Sequence, residues 1–196
     1  MIASLQLCVH LVTGARDWEP DMGWGRFAAV VGSGFTAAFI EEVLFRGALL
    51  GVLMRAMGVA RAVALQATVY ATVHFLKPPG FGEGYEADWG SGLALLAAVP
   101  GHIFGGVGGT ARWLLLLLLG SVLGVVAARQ RHIGWCVGFH AAIAAGALAL
   151  PRLTDYEGGA WRLVCPKDPS AGIDGVVLMA ALLCFVVLRS SRRGIA

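Results

Sequence analysis

Residues 27–54 read FAAVVGSGFTAAFIEEVLFRGALLGVLM. An apolar run of this length can cross a bilayer as a helix, which needs about 20 such residues. Its middle nevertheless carries Glu41, Glu42 and Arg46. An ionisable side chain at bilayer depth costs about 2.5–3.5 kcal/mol even on the lenient insertion scale, and such groups mark functional sites. Helical spacing gives the two acids different tasks. Glu42 and Arg46 stand at i and i+4 with the acid on the favourable N-terminal side, so they share a face and can pair. Glu41 is rotated by about 100° from Glu42 and is less well placed to share that arginine. Glu42 and Arg46 are therefore assigned to scaffolding and Glu41 to chemistry. A purely structural trio is the rival reading. It is disfavoured because buried ion pairs stabilise poorly compared with apolar replacements.

The rest of the chain places this stretch in a membrane. Of 196 residues, 58% are hydrophobic and only 14% are Asp, Glu, Lys or Arg. An ordinary soluble domain is about 45–50% apolar and about 25% charged, and a small domain has too much surface to bury such an excess. Further charge-poor stretches follow at Ala62–Leu76, Ser91–Thr110, Trp113–Ala128, Ile133–Leu150 and Gly175–Leu188. The expectation is a single all-α membrane domain over 1–196, a polytopic transmembrane bundle of five or six apolar segments. The stretch around Pro100-Gly101, rich in glycine up to Gly109, is expected to be re-entrant or broken. Residues 1–15 lack a basic n-region and read as a partial first helix.

Polar connections punctuate the pattern at Asp17–Arg26, Lys77–Asp88, Arg129–His132 and Arg152–Asp174. Trp18, Trp24, Trp89, Trp113, Trp135 and Trp161 fall at or beside the ends of apolar stretches, where an indole finds both hydrocarbon and headgroup. Arg55 with Arg61, Arg129 with Arg131, and Arg189 with Arg192 and Arg193 are expected to share one side. By the bias of Lys and Arg toward cytoplasmic loops, that side and the C-terminus are cytoplasmic, provided that 91–111 does not cross, or crosses and returns. The net charge of +3, with no basic run carrying interleaved aromatics, argues against nucleic acid as a partner. Cys8, Cys136, Cys165 and Cys184 form no CxxC pair. Cys136 and Cys184 read as small buried hydrophobes.

Two histidines join the glutamate. His74 ends an apolar helix just before Lys77-Pro78-Pro79, and His140 lies within Ile133–Leu150. An imidazole carries protons near neutral pH and also ligates metals. His102 is ambiguous, and His10 and His132 read as boundary residues. One Glu and two His do water chemistry in two ways. A carboxylate with one His activates water while the other His stabilises the oxyanion, or Glu41, His74 and His140 hold zinc with water in the open position. No HExxH is present, and spacing does not choose between the two.

These motifs resemble those of the CPBP family, the CAAX proteases and bacteriocin-processing enzymes also called Abi proteins, in a bacterial-type member. Glu41-Glu42-Val43-Leu44-Phe45-Arg46-Gly47 matches its EExxxR motif. Tyr70-Ala71-Thr72-Val73-His74 matches FxxxH with Tyr for Phe. His140 matches the later His, with Ala144 where Asn or Asp often follows. The similarity covers a catalytic core of about 28–150; family members often carry additional helices before EExxxR. It implies an all-helical intramembrane endopeptidase of the glutamate type. Glu41 and His74 would activate water, His140 would hold the oxyanion, and Glu42, Arg46 and Tyr70 would support them. No cofactor is expected, with zinc as the alternative. The implied partners are membrane lipid and a peptide or protein substrate, and the implied location is the bacterial plasma membrane. Ala144 removes an oxyanion donor whose loss can reduce the rate by about 10²–10³. That departure motivates a rival, a non-catalytic immunity or partner-binding protein on the same scaffold. A proton-linked carrier ranks third.

Overall fold

The computed structural model describes residues 2–18, 22–76, 88–130, 132–157, 164 and 166–191. The Lys77–Pro79 turn, Trp161, Arg131, Arg192, Arg193 and Cys165 lie outside the described residues. The architecture is all-helical, apart from one short strand pair. In order, the elements are α1 (Ile2–Val12), β1 (Arg16–Trp18), α2 (Trp24–Glu42), a π-helical run (Val43–Leu49), α3 (Leu50–Met57), α4 (Val59–Val73), α5 (Ser91–Phe104), α6 (Val107–Gln130), α7 (Gly134–Leu153), β2 (Thr154–Tyr156), a 3₁₀ turn (Pro169–Ala171) and α8 (Ile173–Ser191). By length and composition, α6 and α7 are long and apolar enough to cross a membrane, and α4 and α5 are shorter apolar helices.

The 27–54 stretch forms one uninterrupted helical rod made of α2, the π-helical run and α3. Its buried residues are Val30, Gly34, Ala38, Glu42, Arg46 and Leu50, each four beyond the last. In a regular α-helix, four residues overshoot a turn of 3.6 by about 40°, so such a stripe drifts off the packing face. The wider π-helical run, in which Leu50 N–H bonds to the Phe45 carbonyl, turns less per residue. It brings Arg46 and Leu50 back under Glu42. π-Bulges of this kind are common at functional sites. The opposite face exposes Phe27, Val31, Phe35, Phe39, Ile40 and Leu44, the surface that suits lipid.

Close backbone approach sets the helix pairing. Gly34 of α2 lies against the Ala145 backbone, and Glu42 lies against His140, so α2 and α7 are antiparallel. On α6, Gly120 receives Ala67 and Tyr70, while Gly124 receives Val63 and Gln66, so α4 and α6 are antiparallel too. Gly108 meets Ala171 at one end of α6, and Arg129 donates to the Val186 carbonyl at the other, so α6 and α8 run parallel. These directions gather Arg55, Arg61, Arg129 and Arg189 at one end of the bundle. The end of α4 and the start of α6 lie at the other end, so the segment between them leaves and returns on one side. Within it, α5 contains Pro100, and the chain breaks at Gly105-Gly106 before α6.

Three expectations need correction. His10 is no boundary residue: it is fully buried and hydrogen-bonded to Asp174 at 3.0 Å, tying α1 to α8. Cys184 is exposed, whereas Cys136 is buried. The polar stretches around 16–18 and 154–156 pair as antiparallel β1 and β2. There Arg16 donates to Thr154 Oγ1 at 2.9 Å and covers the Tyr156 ring. Spacing could not foresee this pairing, which joins residues far apart in the chain.

Gly34→Val should part α2 from α7, because a Cβ at Gly34 meets Ala145 N at 2.8 Å. Overpacking of this kind costs about 1–3 kcal/mol. Gly32→Val is the control, since nothing lies within 4 Å of a Cβ there. Thermal unfolding in detergent should show a lower midpoint for the first variant and an unchanged one for the second.

Candidate active site

At the centre is the Glu42 carboxylate, with no solvent exposure. Its Oε1 accepts from Arg46 Nη1–H at 2.8 Å and from His140 Nδ1–H, also at 2.8 Å. The i,i+4 spacing across the start of the π-helical run supplies the arginine, and the antiparallel α7 supplies the histidine. The arginine and imidazole together offset the desolvation of a buried carboxylate. The Arg46 guanidinium also lies over the Tyr70 ring, 4.4 Å from its centroid, a cation–π contact strengthened by burial.

Glu41 points elsewhere. Its side chain is 28% exposed, and its Oε2 lies 3.6 Å from His74 Nε2 and 3.7 Å from His140 Nε2. That oxygen is itself out of solvent and accepts no hydrogen bond from the described residues. His74 sits just beyond the last residue of α4, and its Nδ1–H donates to the Tyr70 carbonyl at 2.7 Å. This bond fixes the ring and presents Nε2 to Glu41. His140 is oriented in the same way, its Nδ1–H given to Glu42. The Tyr70 hydroxyl lies 3.3 Å from His140 Nε2. The Tyr70 ring is 1% exposed and packs edge-on against Phe45 and His74.

The structure thus gathers Glu41, Glu42, Arg46, Tyr70, His74 and His140 from three segments of chain. His102 is outside this group, with its Nδ1 3.3 Å from the Phe75 carbonyl. Three neighbours had no signal in the sequence. Phe45 braces Tyr70. Gln66, one turn before Tyr70, is fully buried, with no hydrogen-bond partner among the described residues. Trp113 Nε1–H donates to Thr72 Oγ1 at 3.2 Å, which fixes α4 against α6 one turn from the site. For the zinc alternative, no group of three His, Cys, Asp or Glu among the described residues forms a metal-holding set.

A bundle of apolar helices that buries a Glu–Arg–His cluster and sets a second glutamate against two imidazoles defines the class: a helical scaffold built around an acid–base cluster. Comparison gives the particular family. The family model described as type II CAAX prenyl endopeptidase Rce1-like matches residues 23–146, and the chain belongs to that family. The matched span holds all six residues named above. The family is one of membrane proteins and makes the chain a CAAX-protease-type peptidase by class. No curated protein and no solved structure matches the chain.

Glu42→Gln should destabilise the fold by about 3–5 kcal/mol, because it leaves Arg46 buried without its counter-charge. Glu41→Gln, at a partly exposed position, should leave stability within about 0.5 kcal/mol of wild type. Parallel unfolding curves in one detergent check both, and equal losses would contradict the division of labour between the two acids.

Proposed function

We propose that the protein is an intramembrane endopeptidase that hydrolyses a peptide bond of a membrane-associated protein or peptide with water activated by Glu41 and His74. The observation that carries this reading is the partly open Glu41 carboxylate, whose Oε2 faces two oriented imidazole nitrogens. Separations of 3.6 and 3.7 Å are long for direct hydrogen bonds, and a parting of the side chains by under about 1 Å lets a water bond to both partners. Glu41 takes the proton of that water as general base, and His74 Nε2 helps to orient it. The hydroxide adds to the scissile carbonyl. His140, carrying protons on both nitrogens at this stage, donates Nε2–H to the resulting oxyanion while its Nδ1–H stays on Glu42. The proton held by Glu41 then passes to the leaving amine, and water restores the site.

The reaction needs neither metal nor other cofactor in this scheme. The substrate enters from the bilayer, along the apolar face that α2 presents on either side of Glu41. The four arginines gathered at one end support a cytoplasmic location for that end, and with it for the C-terminus, in a bacterial plasma membrane. A C-terminal green fluorescent protein fusion should then fluoresce, whereas an alkaline phosphatase fusion at the same point should stay inactive.

The direct test is hydrolysis of a quenched fluorescent peptide library, with and without a prenylated cysteine, by detergent-purified protein. Glu41→Gln should lower the rate by about 10²–10⁴-fold without shifting the unfolding midpoint, and activity of metal-free wild type should resist chelators. Hydrolysis retained by Glu41→Gln would overturn the assignment. No cleavage by wild type of any peptide, with a cellular phenotype that survives Glu41→Gln, would favour the non-catalytic scaffold.

A further inference from the structure

The hydrogen-bond directions in the site raise a question of supply. Both imidazoles spend Nδ1–H on fixed acceptors, His74 on the Tyr70 carbonyl and His140 on Glu42 Oε1. In their neutral forms, each therefore turns an acceptor Nε2 toward Glu41, which is an acceptor as well. Hydrolysis through a tetrahedral adduct needs donors where negative charge grows on the former carbonyl oxygen. Arg46 has donors to spare, but it is fully buried beneath the Tyr70 ring and turned to Glu42. Among the described residues, one neutral O–H reaches this cluster, and it belongs to Tyr70, 3.3 Å from His140 Nε2.

We infer that the Tyr70 hydroxyl is a catalytic residue, the second oxyanion donor beside His140. The inference rests on the peptidase reading and deepens it. In the resting site, the O–H lies between two acceptors, the Nε2 lone pair of neutral His140 at 3.3 Å and the Glu41 carboxylate. A proton taken up from solvent water as the substrate binds turns Nε2 into a donor and releases the hydroxyl hydrogen; that proton returns to solvent when the products leave. Nε2–H and O–H then address one oxygen from neighbouring positions. Tyr70 is rigid enough for this task. Its ring is held by the Arg46 guanidinium at 4.4 Å, the Phe45 ring at 5.1 Å and the His74 ring at 4.6 Å. Its backbone carbonyl anchors His74, so one residue positions one imidazole and works with the other. A donor held in place before the reaction loses nothing to reorganisation as charge develops. The hydroxyl also compensates for Ala144, which lies one turn beyond His140 on α7 and has no polar atom to offer.

The experiment compares wild type, Tyr70→Phe and Glu41→Gln, using the library peptide that wild type cleaves fastest. It adds a phosphinate of the same sequence, whose tetrahedral oxygen stands in for the oxyanion, and the product peptide, which has no such group. In Tyr70→Phe, kcat should fall by about 10²–10³-fold with KM within about twofold of wild type. Phosphinate affinity should fall with kcat, while product-peptide affinity holds. A kcat within threefold of wild type would overturn the role of Tyr70, as would phosphinate and product weakened alike, because that pattern marks a structural loss. Activity retained in Glu41→Gln would instead sink the peptidase reading itself, so the two failures are distinguishable.

Discussion

The structure depends on one buried carboxylate. Glu42 is out of solvent and carries two charge-assisted hydrogen bonds on the same oxygen, from Arg46 and from His140. Removing a carboxylate from water is costly, and only well-placed partners offset it. That requirement fixes geometry at three levels. The π-helical run must begin where it does for Arg46 to return beneath Glu42. The α7 helix must run antiparallel to α2 at a distance that only Gly34 permits. His140 must give its Nδ1–H to Glu42, which leaves Nε2 turned toward Glu41.

This arrangement sets two adjacent acids in different surroundings. Glu42 is closed in, its Oε1 held by a cation and an imidazole while its Oε2 has no hydrogen-bond partner among the described residues. Glu41, one position earlier and turned toward α4, keeps an oxygen without a donor and part of its side chain open. A partly open carboxylate set against two oriented imidazoles, beside an enclosed one, is an arrangement that speaks for a function. The same helix thus carries a group that the fold needs and a group that the fold only tolerates. Tyr70 joins the two. It lies beneath His74, over Arg46 and beside His140, so the aromatic packing that stabilises α4 also fixes the site.

Family membership and geometry address different questions. The match over residues 23–146 gives the class of protein and spans the whole cluster. The distances within the cluster show which atoms face one another. Position 144 shows why both are needed: judged by motif alone, Ala144 is a missing donor, whereas the structure places a tyrosine hydroxyl beside the imidazole one turn away.

The sequence by itself determined the membrane class, the apolar stretches, the i,i+4 relation of Glu42 to Arg46, and the identity of the histidines worth following. Those features are local, because composition and helical period carry them. The tertiary structure decided everything that depends on two segments meeting. Helical period alone gives no reason for the π-helical run, which is needed only because Arg46 and Leu50 pack against neighbouring helices. His10 seemed a terminal residue until Asp174, from the far end of the chain, proved to be its partner. The polar stretches at 16–18 and 154–156 could not be seen as strands, since each has its hydrogen-bond partners only in the other. The approach of His140 to both glutamates was likewise undetermined, because spacing along a helix fixes which face a residue occupies but not which helix will lie against that face.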